Sequence, residues 1–160
     1  MLGVKLICVG KMRERFYIDA FEEYRKRLGA YCRLELVELA EQRFPDKPSA
    51  AEIAAALEKE GAEILRAIPP DAFVCALCVE GKELSSEAFS ALFTERENSG
   101  KPKICFLVGG SYGMSETVKA RSDFKLSMSK MTFPHHLARV MLVEQIYRAF
   151  KIAEGSRYHK

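Results

Sequence analysis

Ile104-Cys105-Phe106-Leu107-Val108-Gly109-Gly110-Ser111-Tyr112-Gly113 is the stretch that decides the fold. Five consecutive apolar residues without alternation mark a strand covered on both faces, and such strands belong to parallel sheets flanked by helices. Glycines directly after a strand let a ligand approach the backbone, because a Cβ would block it and the amides can point outward. Ligands of open α/β sheets bind beyond the carboxyl ends of the strands, so the run predicts an architecture and also the place of a site.

Moving outward from it, the same pattern recurs. Val4 to Val9 is a continuous apolar run closed by Gly10-Lys11, and Ala72 to Val79 is another, followed by Glu80-Gly81-Lys82, which reads as a turn. Leu34, Leu36, Val37 and Leu39 make a further strand, and Phe124 to Met128 a short fifth one. Between them lie helical patterns: Phe16 to Leu28, a helix opened by the capping box Ser49-Ala50-Ala51-Glu52 and running to about Ile68, one from Ser85-Ser86-Glu87 to about Glu97, and a short one from Ser115 to about Arg121. Glu41 to Pro48, with two prolines, reads as a loop. Strictly alternating strands and helices without an internal repeat predict a single α/β domain over 1–160, mainly parallel, with helices on both faces.

The totals agree. A chain of 160 residues suits one domain with a real core, and 48% hydrophobic with 29% charged residues is ordinary for a soluble protein. No apolar run is long enough to span a bilayer, and the opening Met1 to Ile7 reads as a strand rather than a secretory signal, so the expected compartment is the cytoplasm. Of the five cysteines, Cys75 and Cys78 have metal or redox spacing, but mid-strand residues three apart point to opposite faces and no second pair completes a ligand set. Core packing and no metal are expected. The dinucleotide fingerprint fails after the first strand, where Gly10-Lys11-Met12-Arg13-Glu14-Arg15 stands, and no Gly-Lys-Ser or Gly-Lys-Thr phosphate loop exists.

The last thirty-five residues carry most of the chemistry. Leu126-Ser127-Met128-Ser129-Lys130-Met131-Thr132 alternates apolar and polar residues, and Phe133-Pro134 turns into a long helix with proline expected at its first position. Its apolar residues from Leu137 to Phe150 form a stripe too broad for a helix with one wet side, so two buried faces are expected. His135 and His136, at the helix's positive end, read as exposed or as helix-end hydrogen-bonding groups. Residues 121–160 carry eight Lys or Arg against three acids, a net +5, whereas the first 120 carry −2. Such an imbalance suits a localised anionic partner such as RNA. Three loops at strand ends, Glu80 to Lys82, Gly109 to Gly113 and Ser127 to Phe133, are expected to meet on one edge.

Phe106 to Gly113, Leu126 to His135, Glu144-Gln145-Ile146-Tyr147-Arg148-Ala149-Phe150-Lys151 and the terminal Tyr158-His159-Lys160 together resemble the bacterial 23S ribosomal RNA pseudouridine-N3 methyltransferases of the SPOUT class. The resemblance covers essentially the whole chain. It implies a deep trefoil knot within about 104–160, a homodimer, and S-adenosyl-L-methionine as cofactor. It also implies methylation of N3 of a pseudouridine in 23S rRNA, on assembled ribosomes. The cofactor residues it implies are Leu77, Gly109, Leu126, Ser127, Met128, Ser129, Lys130 and Met131, and it places part of the catalytic and substrate groups on the second subunit's C-terminal tail. On chemistry and position, His159 is the candidate base and Tyr158 stacks on or orients the target, while Arg139, Arg157 and Lys160, with Lys130, hold phosphates. A ribosome-binding assembly factor that keeps the fold without chemistry is the alternative.

Overall fold

A computed structural model describes residues 1–160. Strands β1 (Leu2–Val9), β2 (Cys32–Leu39), β3 (Phe73–Glu83), β4 (Lys103–Val108) and β5 (Phe124–Ser127) alternate with helices α1 (Arg15–Leu28), α2 (Ala50–Ala67), α3 (Ser86–Glu97), α4 (Glu116–Arg121) and α5 (His135–Ala153). The strands form one sheet in the order β2-β1-β4-β3-β5, with every neighbouring pair parallel.

The unbroken apolar strands are explained by two cores. Leu2, Val4, Leu6 and Cys8 of β1 and Ile104, Phe106 and Val108 of β4 face Phe21 of α1, Phe89 and Phe93 of α3 and Leu142, Val143 and Ile146 of α5. The intervening Ile7, Val9, Cys105 and Leu107 face Ile64 of α2 and Val118 of α4. Fully burying each large apolar side chain contributes about 1.5–3 kcal/mol, so neither face of the sheet is dispensable. Cys75 joins the first core and Cys78 packs against the second, on opposite faces as expected of their spacing. The Ser49–Glu52 capping box is present in both directions, at 3.1 Å each.

Two local expectations are corrected. Glu80-Gly81-Lys82 is not a turn away from the sheet, because β3 continues to Glu83 through a bulge in which Leu77 and Lys82 both pair with Leu126. Gly81 permits this: a Cβ there would stand 2.7 Å from the backbone carbonyl of Lys125. Pro134 is the N-cap of α5 rather than its first residue, with extended ψ of 138°, and its carbonyl accepts the first helical bond from Ala138 at 2.9 Å. Helix α5 packs on both α1 and α3, which accounts for its broad stripe.

Candidate functional site

The register of the sheet brings the expected loops together. Cys8 pairs with Val108, Val9 with Leu39 and Leu77 with Leu126, so Gly10, Gly109, the β3 bulge and the segment after β5 emerge on one edge. A cleft of about 830 Å³ opens there, walled by Leu77–Glu80, Val108–Met114, Leu126, Met128, Ser129 and Met131–His135, with Lys119 and Ala138 at its sides. Its size is that of a pocket for a nucleoside-sized ligand.

The glycine loop makes the cleft possible. Gly113 has φ of +85° and its amide donates to the Gly110 carbonyl at 3.0 Å, closing a tight reversal back onto β4. A Cβ on Gly109 would lie 2.5 Å from the Gly113 carbonyl oxygen, so the reversal excludes any side chain at that position. At the rim, Tyr112 packs on Phe44 with ring centroids 4.5 Å apart. The segment after β5 is held by its own hydroxyls: Ser127 Oγ donates to the Ser129 carbonyl at 2.9 Å, and the Met131 amide donates to Ser129 Oγ at 3.0 Å.

Leu77, Gly109, Leu126, Met128, Ser129 and Met131 line the cleft, whereas Ser127 and Lys130 do not. Ser127 is buried behind the wall and faces a second cavity of about 420 Å³, and Lys130 is exposed. The expectation for Arg139 is overturned. Its side chain is fully buried, with Nη1 2.7 Å from Glu38 Oε2 and Nη2 donating to the Gly10 carbonyl at 2.9 Å. Arg139 ties the start of α5 to the ends of β1 and β2 and has no path to an external phosphate.

Composition and motif matching missed several wall residues. His135 is half-buried in the cleft rather than exposed, and its Nε2 is buried without a partner. Burial, reinforced by the neighbouring His136 whose ring centroid is 4.2 Å away, holds its pKa below the ordinary imidazole value, so it is neutral near pH 7. Lys119 pairs with Glu80 at 2.6 Å across the cleft wall, which keeps that carboxyl below its usual range. The available signal for His135 was position, since it follows the loop at the carboxyl end of β5, whereas Lys119 lies inside α4 and carried none.

The terminal residues do not line their own chain's cleft. Tyr158 donates to Glu144 Oε1 at 3.1 Å, meets Tyr147 edge-on at 4.9 Å and lies beneath Arg148, 4.9 Å from the ring. Burial, with hydrogen bonding to Tyr24 and the charge of Glu144, raises the phenol's pKa, so Tyr158 stays protonated. His159 sits between Glu87 and Arg148. Arg157 and Lys160 are exposed and form no ion pair. No three His, Cys, Asp or Glu side chains cluster in a way that could hold a metal ion.

Comparison with known proteins bears on this arrangement. Residues 2–159 match the family model described as Predicted SPOUT methyltransferase. The chain is 48% identical over 159 residues to the Ribosomal RNA large subunit methyltransferase H of Clostridium beijerinckii, covering 99% of this chain and all of that one. It is 45% identical, with the same coverage, to the putative ribosomal RNA large subunit methyltransferase H of Methanococcus maripaludis. Among solved structures, a probable methylase family protein from Haemophilus influenzae Rd KW20 superposes with a TM-score of 0.53 at 12% identity, over 98% of this chain and 70% of that one, a likeness of fold alone.

Proposed function

The chain belongs to the SPOUT methyltransferase family, and from that premise we propose that it methylates N3 of a pseudouridine in the large-subunit ribosomal RNA, on assembled ribosomes. The observation that carries the reading is the end-to-end likeness, at 48% identity, to a ribosomal RNA large subunit methyltransferase, tail included. The working unit is a homodimer in the cytoplasm, and no helix is long and apolar enough to cross a membrane.

The cleft fits S-adenosylmethionine. Its volume of about 830 Å³ suffices, Gly109 leaves a cradle that a Cβ would fill, and the wall is mostly apolar with a few convergent polar groups. Leu77, Leu126, Met128 and Met131 supply the apolar packing for a purine, and Ser129 and the amides of the glycine loop supply polar contacts. When bound, the cofactor supplies a sulfonium-linked methyl group that needs no further activation. What remains for the protein is to place the target nitrogen in line, exclude water and remove a proton.

The groups for that work lie outside the chain's own cleft, on the tail docked against α3 and α5. His159 accepts the N3 proton and Tyr158, kept as a phenol, orients the base; both serve the partner's cleft across the dimer. Arg157, Lys160 and Lys130, exposed and free of acids, take phosphates of the RNA. Arg139, buried on Glu38, is left to hold the wall.

Calorimetry with S-adenosylmethionine followed by tritiated-methyl transfer tests the proposal, using ribosomes from a strain that lacks the modification. Incorporation at one pseudouridine is expected. Cofactor binding without any incorporation would defeat it in favour of a non-catalytic ribosome-binding factor.

A further inference from the structure

The terminal histidine is held more definitely than a free tail would hold it. Its Nε2 lies 2.7 Å from Glu87 Oε1 and its Nδ1 lies 3.2 Å from Arg148 Nη1. A guanidinium nitrogen can only donate, so Nδ1 accepts and carries the ring's lone pair. In a neutral ring the one proton therefore resides on Nε2 and is given to Glu87. Two neighbours on two different helices select the same tautomer.

Each neighbour is itself fixed. Glu87 stands in the first turn of α3, where a carboxylate is favoured by the unpaired amides of the helix end. Its pKa is held below the ordinary value, first by the hydrogen bond with His159. Arg148 is anchored by Glu144, with Nε 3.1 Å from Oε1. The imidazole retains 27% of its side-chain exposure, so it is accessible from solvent.

We infer that Glu87 is a positioning residue that fixes His159 as the Nε2–H tautomer, making Nδ1 the atom that accepts the substrate proton. The inference rests on His159 being the base of the methyl transfer. In that step the Nδ1 lone pair takes the N3 proton and the N3 electron pair bonds the methyl carbon. The carbon–sulfur bond breaks with its electrons on sulfur, leaving S-adenosylhomocysteine. The imidazolium so formed already faces the Glu87 carboxylate, which neutralises it. Arg148 Nη1 covers Nδ1 at 3.2 Å in the free protein, so this one contact must open for Nδ1 to take the proton, while Nε keeps its bond to Glu144.

The test is nitrogen-15 spectroscopy of histidine-labelled full-length dimer at about pH 9, where imidazoles are neutral, with His159 assigned through H159Q. The expected spectrum shows protonated Nε2 and unprotonated Nδ1 in the wild type and a mixture of tautomers in Glu87→Ala. In parallel, E87A is expected to lose roughly 10- to 100-fold in kcat, within the reach of general-base catalysis, with cofactor Kd unchanged. Glu87→Gln, whose amide oxygen still accepts from Nε2, retains the tautomer and recovers part of the rate. A wild-type Nδ1–H tautomer, or an E87A dimer that methylates at the wild-type rate, overturns the inference. Failure of the wild type to methylate ribosomes at all refutes the broader functional reading instead, and the tautomer spectrum then decides the role of Glu87 by itself.

Discussion

Replacing Gly109 by alanine probes the cleft with one carbon atom. Its φ lies outside the left-handed region, so alanine meets no conformational barrier there, and the effect is purely one of space. The new Cβ would sit 2.5 Å from the Gly113 carbonyl oxygen, 2.8 Å from its carbonyl carbon and 2.8 Å from Met114 Cγ. Met114 can yield by changing rotamer, but the Gly113 backbone cannot, because the Gly110–Gly113 bond closes the reversal at 3.0 Å. Relieving overlap of this kind costs about 1–3 kcal/mol. The loop meets that cost by moving off β4 into the cleft. If the displacement falls wholly on the bound state, S-adenosylmethionine affinity drops by roughly 5- to 150-fold, at 1.4 kcal/mol per tenfold. Calorimetric titration of the variant with S-adenosylmethionine and S-adenosylhomocysteine, beside a thermal melt, reads both quantities. Unchanged affinity for both ligands would refute the cradle, whatever the melt shows.

Three further outcomes are expected. Deleting Tyr158 to Lys160 abolishes methyl transfer but leaves most of the cofactor affinity intact, since none of the three lines its own chain's cleft; a truncated dimer that turns over normally would remove the tail from the chemistry. Arg139→Ala costs roughly 3 kcal/mol of stability in denaturant unfolding, the low end for a broken buried pair because Glu38 keeps some exposure, and the salt dependence of RNA binding stays unchanged; a shallower slope would return Arg139 to phosphate contact. Glu60 is buried, its carboxylate accepting from the Gln42 amide at 2.8 Å, and burial raises its pKa. An acid raised in the folded state stabilises fully below its unfolded value and loses that contribution as pH rises through the folded one. Glu60→Gln, which keeps the acceptor without the charge, is therefore more stable than wild type at neutral pH, and the gap closes on acidification below the ordinary carboxylate range.

Local chemistry made much of this protein legible from its sequence. Ser49 and Glu52 announce a helix start because the capping box involves residues only three apart. The continuous apolar runs of β1, β3 and β4 announce a doubly covered sheet because each strand carries both faces in its own residues. Arg139 was unreadable for the opposite reason: its partner Glu38 lies 101 residues away, and an arginine near a basic tail looks like a phosphate ligand until that pairing is known. Glu80-Gly81-Lys82 misled because glycine serves turns and close approaches alike. Only the position of Lys125 against it shows which is needed. His135 lies between these cases, its place at a helix start being readable while the loop that buries it was not. No local pattern encodes a threading, and the knot rests on resemblance alone.

Leu126 and Met128 border both the cleft of about 830 Å³ and the neighbouring cavity of about 420 Å³ that reaches Glu144, the anchor of Tyr158 and Arg148. The two cavities thus share these two side chains as common wall. Leu126 is buried between them and Met128 is half-buried. A ligand that shifts Leu126 or Met128 from the cleft side therefore also alters the lining of the second cavity.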